Sequence, residues 1–359
     1  MAKDLSRQER DALKSQRHSE YLIRRQNSKM ERLIAKQQDF LDVMAARRKG
    51  EKYWAFFWRC CKRDKFLILL ALPGILNFLI WHYGPIYGMV IAFKDYSMKK
   101  GILGSPWAAD FGLKHIINFL NYPNLDRILW NTVSLNLLFI LFVPLPGVVF
   151  ALFLNEMKFM PVKRVVQSVS YFPHFLSSVI VVGIFTLMLS PSTGMVNNLI
   201  VALGGIPIYF MMSATWFRPI MVIMAIWQSI GWDTIIWLAR IATIDLGQYE
   251  AAAIEGASRW QRMRYITLPA FKEWYVIGLI IGFGGILNSC AQDKIYLMWN
   301  ASIAPTAETI GMYIFRRGLL FADYSYGAAV GFAFSMVALL LILIFNKIAK
   351  LVSNTSLFG

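Results

Sequence analysis

Charge, cysteine and histidine are all scarce in this sequence, and each shortage removes a class of function. Only 16% of the 359 residues are charged, against 57% hydrophobic and 15% aromatic, and the mean hydropathy is +0.48. A soluble domain carries more charge and a disordered chain fewer aromatics, so the natural solvent of this chain is the bilayer. There are three cysteines: Cys60 and Cys61 are adjacent and Cys290 lies inside an apolar run. That gives neither paired extracellular spacing nor a metal-ligand pattern, and no structural disulfide is expected. The four histidines, His18, His82, His115 and His174, have no H-x-x-x-H spacing and no companion Cys or carboxylate at ligand distance, so no metal site is expected. No G-x-x-x-x-G-K-[ST] segment is present to cradle nucleotide phosphates, and no G-x-S-x-G elbow to carry a nucleophile.

What is abundant is positive charge, with a formal net of +16. The basic residues crowd the N-terminus and the short segments between apolar runs, a distribution that reports membrane topology and not nucleic-acid binding. Residues 1–64 form a charged arm rich in Lys, Arg, Gln, Glu and Ala without Pro, a helix-forming composition suited to lie near anionic headgroups. It is too long and too charged for a secretory signal, so the N-terminus is expected to stay cytoplasmic. The aromatic stretch 54–58, followed by Arg59, Lys62, Arg63 and Lys65, has the character of an interfacial anchor.

Six apolar runs follow, over 66–93, 131–154, 165–189, 219–238, 274–298 and 328–345, each near the roughly 20 residues that span a bilayer. The expected fold is all-α, a polytopic membrane domain over 65–350 with both termini on one side and a short tail at 351–359. The first run contains Pro73-Gly74 and Gly84-Pro85, so its span proper is expected to end near Trp81, with the remainder bent or lining a cavity. Lys158, Lys163, Arg164, Arg240, Arg259, Arg262, Arg264, Lys272, Lys347 and Lys350 fall on the side of the N-terminal arm. Fewer basic residues fall opposite: Lys94, Lys99, Lys100, Lys114, Arg127, Arg218, Arg316 and Arg317. This bias places both termini in the cytoplasm, although the segment after the first span is richer in Lys than the rule prefers. Within 193–203 the spacing of Met195, Leu199 and Leu203 predicts a short helix along the outer interface.

The longest interruption on the side assigned to the cytoplasm, 239–273, reads ARIATIDLGQYEAAAIEGASRWQRMRYITLPAFK up to Lys272. Ala251 to Ala253 and Gly256 place small residues one turn apart, giving a helix face smooth enough to enter a groove on another protein. Ala257 continues the small-residue stretch. Gly256 allows the backbone to turn, and Leu268-Pro269 ends the segment where the next span begins.

Glu250, Ala251, Ala252, Gly256, Ile266, Leu268 and Pro269 together resemble, in register, the EAA signature of permeases from binding-protein-dependent ABC importers. The resemblance implies that Glu250 to Arg264 is a coupling helix seated in a cleft of a separate ATPase. It also implies two ATPase subunits, a second permease subunit and an extracytoplasmic solute-binding protein. ATP and Mg would then sit on the partner ATPase, and this chain would bind no cofactor and act as no enzyme. The stretches HYGPIYGMVIAFKDY, WDTIIWLARIATI and TIGMYIFRRGLLFADYSYGAAVGFAFSMV are similar to permeases for oligosaccharides and polysaccharide fragments in the carbohydrate-uptake branch. The charged arm has no counterpart in that pattern. An importer permease for a non-sugar solute is the alternative. An ion-coupled transporter would need paired ionisable groups at mid-membrane, where only Asp233 and Asp293-Lys294 are available, near span ends.

An oligosaccharide path needs aromatic faces for sugar rings and amides or carboxylates for hydroxyls. The candidates are Tyr83 and Tyr87 at the end of the first run; Trp227, Gln228, Trp232 and Asp233 in the fourth; and Asn288, Gln292, Asp293, Tyr296 and Trp299 in the fifth. If the fifth run is one helix, Asn288 and Gln292 share a face that Tyr296 and Trp299 continue. Packing between subunits or interfacial belting would use the same aromatics.

Overall fold

The computed structural model describes residues 53–287 and 291–353, with Tyr21, 24–28, Met30, Glu31, Ile34 and Gln38 of the arm. Most of the 1–64 arm, the stretch 288–290 with Asn288 and Cys290, and residues 354–359 lie outside the described residues. The regular elements among the described residues are all helices, with no strand among them and one isolated bridge between Lys94 and Trp107. Four helical stretches are long and apolar enough to cross a membrane, Lys65–Phe93, Leu125–Glu156, Ala214–Ile241 and Tyr324–Ile348, and the number is up to six if each of two bent helix pairs is one span. The chain divides into two units, 1–86 and 87–359.

In the first unit, the helix Lys65–Phe78 passes into a π turn, Leu79–Tyr83. Its Phe66, Leu69 and Leu70 side chains stand exposed, which suits a helix whose solvent is lipid. Regular α geometry ends at Phe78, and the apolar helical stretch as a whole runs on past Gly84 and Pro85 to Phe93. Pro85 has no N–H to donate, and the chain continues as a 3₁₀ segment, Gly84–Phe93.

The second unit is built around the helix Ala214–Ile241. Its buried Phe217, Met221 and Met224 pack with Leu135, Val181, Ile295 and Met312 from four other segments. Two glycines set how closely its neighbours approach. A Cβ on Gly231 would collide with the Ser170 carbonyl oxygen, and one on Gly147 would come within 2.9 Å of the Asp233 Cβ. The Thr234 hydroxyl donates to the Ile230 carbonyl at 2.6 Å and lies 3.3 Å from the Gly147 carbonyl, which keeps this polar group satisfied inside the packed interface.

The third and fifth apolar runs are each interrupted by a sharp break. The third is broken: Met160–Phe175 and Ser178–Met188 meet at 104°. Pro173 interrupts the hydrogen-bond ladder, and Ser177 restarts it as an N-cap whose hydroxyl accepts from the Ile180 N–H at 3.4 Å. The fifth ends as a helix at Gly284, where Gly285 follows, and a new helix, Gln292–Met298, begins after Ala291 at φ +48°. The expectation of one helix over 274–298 is therefore corrected: Gln292 and Tyr296 keep a shared face on the second helix, Trp299 follows its end, and Asn288 lies outside the described residues. The predicted short helix is present as Met195–Ala202, with Met195, Leu199 and Leu203 exposed and Asn197 buried. Asn197 holds the turn beneath it, donating to the Leu189, Ser190 and Ile208 carbonyls and accepting from the Ile208 N–H.

Candidate functional site

The loop between the fourth and fifth runs folds as two short helices joined by a tight turn. Asp245 caps the first, Leu246–Ile254, accepting from the Gly247 N–H at 3.0 Å. The helix ends at Gly256, φ +82°, with the Ala257 N–H donating to the Ala252 carbonyl at 2.9 Å and the Gly256 N–H to the Ala253 carbonyl at 3.1 Å. This pair of bonds is a Schellman closure, whose left-handed position favours glycine. Ser258 then opens the second helix, Arg259–Arg262, through a reciprocal capping box: its hydroxyl accepts from the Gln261 N–H and the Gln261 side chain accepts from the Ser258 N–H at 2.7 Å. Glu250 to Arg264 is thus not one helix. Glu250 is exposed at the fifth position of the first helix, and Asp245 holds the N-terminal end that sequence reasoning had given to Glu250.

Both ends of this hook are tied to rigid helices. The Tyr249 hydroxyl bonds the Thr267 hydroxyl at 2.7 Å, and the Arg240 Nε donates to the Ala270 carbonyl at 3.0 Å. Pro269 sits in the first turn of Leu268–Gly284, where it offers no N–H to the Tyr265 carbonyl. The chain before it, Met263–Thr267 with Ile266, widens into a π turn. The tip is left bare: Ile254 is 87% exposed and Trp260 64%. An apolar side chain that exposed, on a loop closed by two caps and tied at both ends, has the character of a docking element.

A second arrangement forms where the third run breaks. His174, in the 3₁₀ turn Phe172–Phe175, stacks on Trp232 with centroids 4.3 Å apart and planes 5° from parallel, and Phe175 meets Trp232 edge-on at 6.1 Å. Gln228, one turn earlier on the same helix, donates to the Leu176 carbonyl at 2.9 Å and accepts from the buried Lys294 ammonium. The Ser178 hydroxyl donates to the Asp293 carboxylate. Two broken runs and the continuous helix Ala214–Ile241 therefore bring Gln228, Trp232 and Asp293 together with His174, Ser178 and Lys294, which sequence reasoning had not assigned to a path. Aromatic faces beside an amide and charged groups suit a ligand of rings and hydroxyls.

The other candidates lie elsewhere. Asp233, the next residue round the helix from Trp232, lines a separate cavity of about 640 Å³ with Asn136, Trp237 and Trp274. Gln292 donates to the Met312 sulfur at 3.9 Å, Tyr296 packs edge-on to Phe315, and Trp299 lies under the Arg316 guanidinium at 4.7 Å. Tyr83, in the first unit, meets Phe78 edge-on at 5.6 Å, and Asn288 is outside the described residues.

Three likenesses bear on this geometry. Protein LplB of Bacillus subtilis (strain 168) is 41% identical over 297 residues, 83% of this chain and 92% of that protein. The polygalacturonan/rhamnogalacturonan transport system permease protein YteP of the same organism is 41% identical over 291 residues, 80% of this chain and 88% of that protein. The crystal structure of a bacterial alginate ABC transporter in complex with an alginate pentasaccharide-bound periplasmic protein contains a chain of TM-score 0.74 and 35% identity, covering 84% of this chain and 99% of that one. Residues 146–355, which hold both the hook and the cluster around Trp232, match the family described as binding-protein-dependent transport system inner membrane component, and the chain belongs to that family.

Proposed function

We propose that this chain is the permease subunit of an ATP-driven importer that passes an oligosaccharide or polysaccharide fragment received from an extracytoplasmic binding protein. It is a multi-pass protein of the cytoplasmic membrane, and its family works in transport, not catalysis. Supporting the substrate class are the polygalacturonan/rhamnogalacturonan permease and the alginate transporter to which the chain is similar. The path would run past His174, Gln228, Trp232 and Asp293, with stacked rings for sugar faces and polar groups for hydroxyls.

The observation that carries the ATP-driven part of this reading is the hook at 245–262, a doubly capped helical pair with a bare apolar tip, tied at both ends to span helices. Such an element transmits displacement because neither its shape nor its attachment yields easily. In the proposed topology both termini and 239–273 face the cytoplasm, where Ile254 and the small residues Ala252, Ala253, Gly256 and Ala257 meet a cleft of the ATPase. That ATPase is a separate polypeptide in two copies, holding ATP and Mg, and a second permease completes the path. Reconstitution of the copurified complex tests the reading: ATP-dependent uptake of labelled oligosaccharide supports it, and uptake driven by an ion gradient without ATP rejects it.

A further inference from the structure

Away from the cluster around Trp232, a polar cavity of about 590 Å³ is walled by the segment after the first span and the segment before the last. In the topology proposed above it opens to the extracytoplasmic side. Sequence reasoning gave these residues no role beyond their part in the resemblance, yet the cavity is carefully built. Lys94 is buried beneath it, donating its ammonium to the Ile102 and Leu103 carbonyls at 2.8 and 3.2 Å. The Ser325 hydroxyl donates to the Lys94 carbonyl at 2.6 Å and accepts from the Tyr96 N–H at 2.9 Å, pinning one wall to the start of the last span helix. The opposite wall presses on the same helix through paired glycines: a Cβ on Gly327 would lie 2.8 Å from the Gly318 Cα. The cavity is therefore preorganised.

Its electrostatics decide what it can hold. The three cations of the wall are each paired within it, Lys114 with Asp95 at 2.9 Å, Arg316 with Glu308 at 2.8 Å and Arg317 with Asp323 at 3.4 Å. Each of these cations is already held by a carboxylate, and Asp95 and Glu308 also meet His115 and Arg127 at 3.1 and 3.5 Å, so an anion would have to displace a carboxylate to bind one of them. The wall offers instead planar donors beside planar acceptors, the arrangement that vicinal hydroxyls satisfy by donating to a carboxylate and accepting from its cationic partner. The Tyr313 and Tyr326 hydroxyls bond each other at 2.8 Å, and burial followed by that hydrogen bond raises the Tyr313 phenol above its usual range, so it stays neutral. Tyr122 meets Tyr313 at 5.0 Å, and the Phe321 ring stands 64% exposed at the rim, a free face for the C–H side of a sugar ring.

We propose that this cavity is a second saccharide subsite, an outer station that takes uncharged sugar units through vicinal hydroxyls before the chain reaches the cluster around Trp232. It rests on the carbohydrate reading above and adds a recognition preference to it. Volume is consistent with this role, since small-ligand sites run from about 300 to 1,000 Å³.

The test uses the copurified importer in nanodiscs without its binding protein, titrated with uncharged tri- and tetrasaccharides of gluco, manno, galacto, xylo and rhamno configuration and with trigalacturonate. Asn118 and Phe321 are both exposed in the wall, so Asn118→Ala and Phe321→Ala leave the core intact. The expected result is binding of at least one uncharged member, weakened about tenfold by each substitution, with basal ATP hydrolysis and binding-protein docking as in wild type. Binding of no member, preference for trigalacturonate, or equal binding by the variants overturns the subsite. So does a loss of binding-protein docking with saccharide binding intact, which would make the cavity a protein contact. Uptake by the wild-type complex is read separately: saccharide uptake with no binding here sinks only this subsite, while absence of saccharide uptake removes the functional reading and the subsite with it.

Discussion

His174 lies face to face with Trp232, ring centroids 4.3 Å apart, and so joins the break in the third apolar run to the middle of the long Ala214–Ile241 helix. The stack leaves Trp232 41% exposed, enough ring to receive a ligand. Truncating Trp232 removes a pair worth about 0.5–1.5 kcal/mol together with the exposed face. Trp232→Ala is expected to cut oligosaccharide uptake by about tenfold or more, and Trp232→Tyr to retain most of it. Initial uptake rates in vesicles, normalised to inserted permease, check both.

Neighbouring positions on the helix Gln292–Met298 should behave differently. Asp293 accepts from Ser178 at the break, whereas Gln292 points to the Met312 sulfur. Asp293→Ala is expected to lower uptake with complex assembly intact, and Gln292→Ala to leave uptake near wild type. The pair of uptake measurements reads the difference directly, and equal losses would remove the cluster from the path.

Much of the hook could be read from sequence because its residues are contiguous. The turn at Gly256 is legible from glycine's backbone freedom, and the structure gives it the left-handed φ that glycine tolerates. The split into two helices was not foreseen, although Ser258 and Gln261 stand at capping-box spacing and mark a new helix start. Likewise Pro173 and the Gly284-Gly285 pair stand in the sequence as helix-ending signals, inside runs whose length alone suggests single spans. The cluster around Trp232 had no sequence signal as a whole. His174, Gln228 and Lys294 meet only because the breaks in two runs lie against one continuous helix, and periodicity within one segment carries no information about that. Asp233 shows the converse: adjacent to Trp232 in sequence, it lies about 100° further round the helix and faces another cavity.

Topology is open to a single labelling experiment. Ser258 is exposed at the turn of the hook. In intact cells, Ser258→Cys is expected to resist a membrane-impermeant maleimide added outside and to react after permeabilisation. Efficient labelling of intact cells would reverse the proposed orientation.

Gly256 separates backbone from contact effects. A Cβ there meets nothing within 4 Å, so Gly256→Ala costs only the left-handed backbone, about 1–2 kcal/mol. Asn tolerates that conformation better than Ala, so Gly256→Asn is expected to retain more coupling than Gly256→Ala. ATP hydrolysis per molecule transported, compared across the two variants, reports the order.

The account stands or falls on whether the hook transmits the ATPase cycle. Gly256→Trp places a bulky side chain at the bare turn, and Glu250→Lys reverses an exposed charge on the first helix. Neither change enters the packed interior. The decisive measurement is saccharide-stimulated ATP hydrolysis by the complex in reconstituted vesicles, normalised to inserted permease. The account predicts that both variants insert at wild-type levels and lose the stimulation together with uptake; wild-type stimulation in both would contradict it.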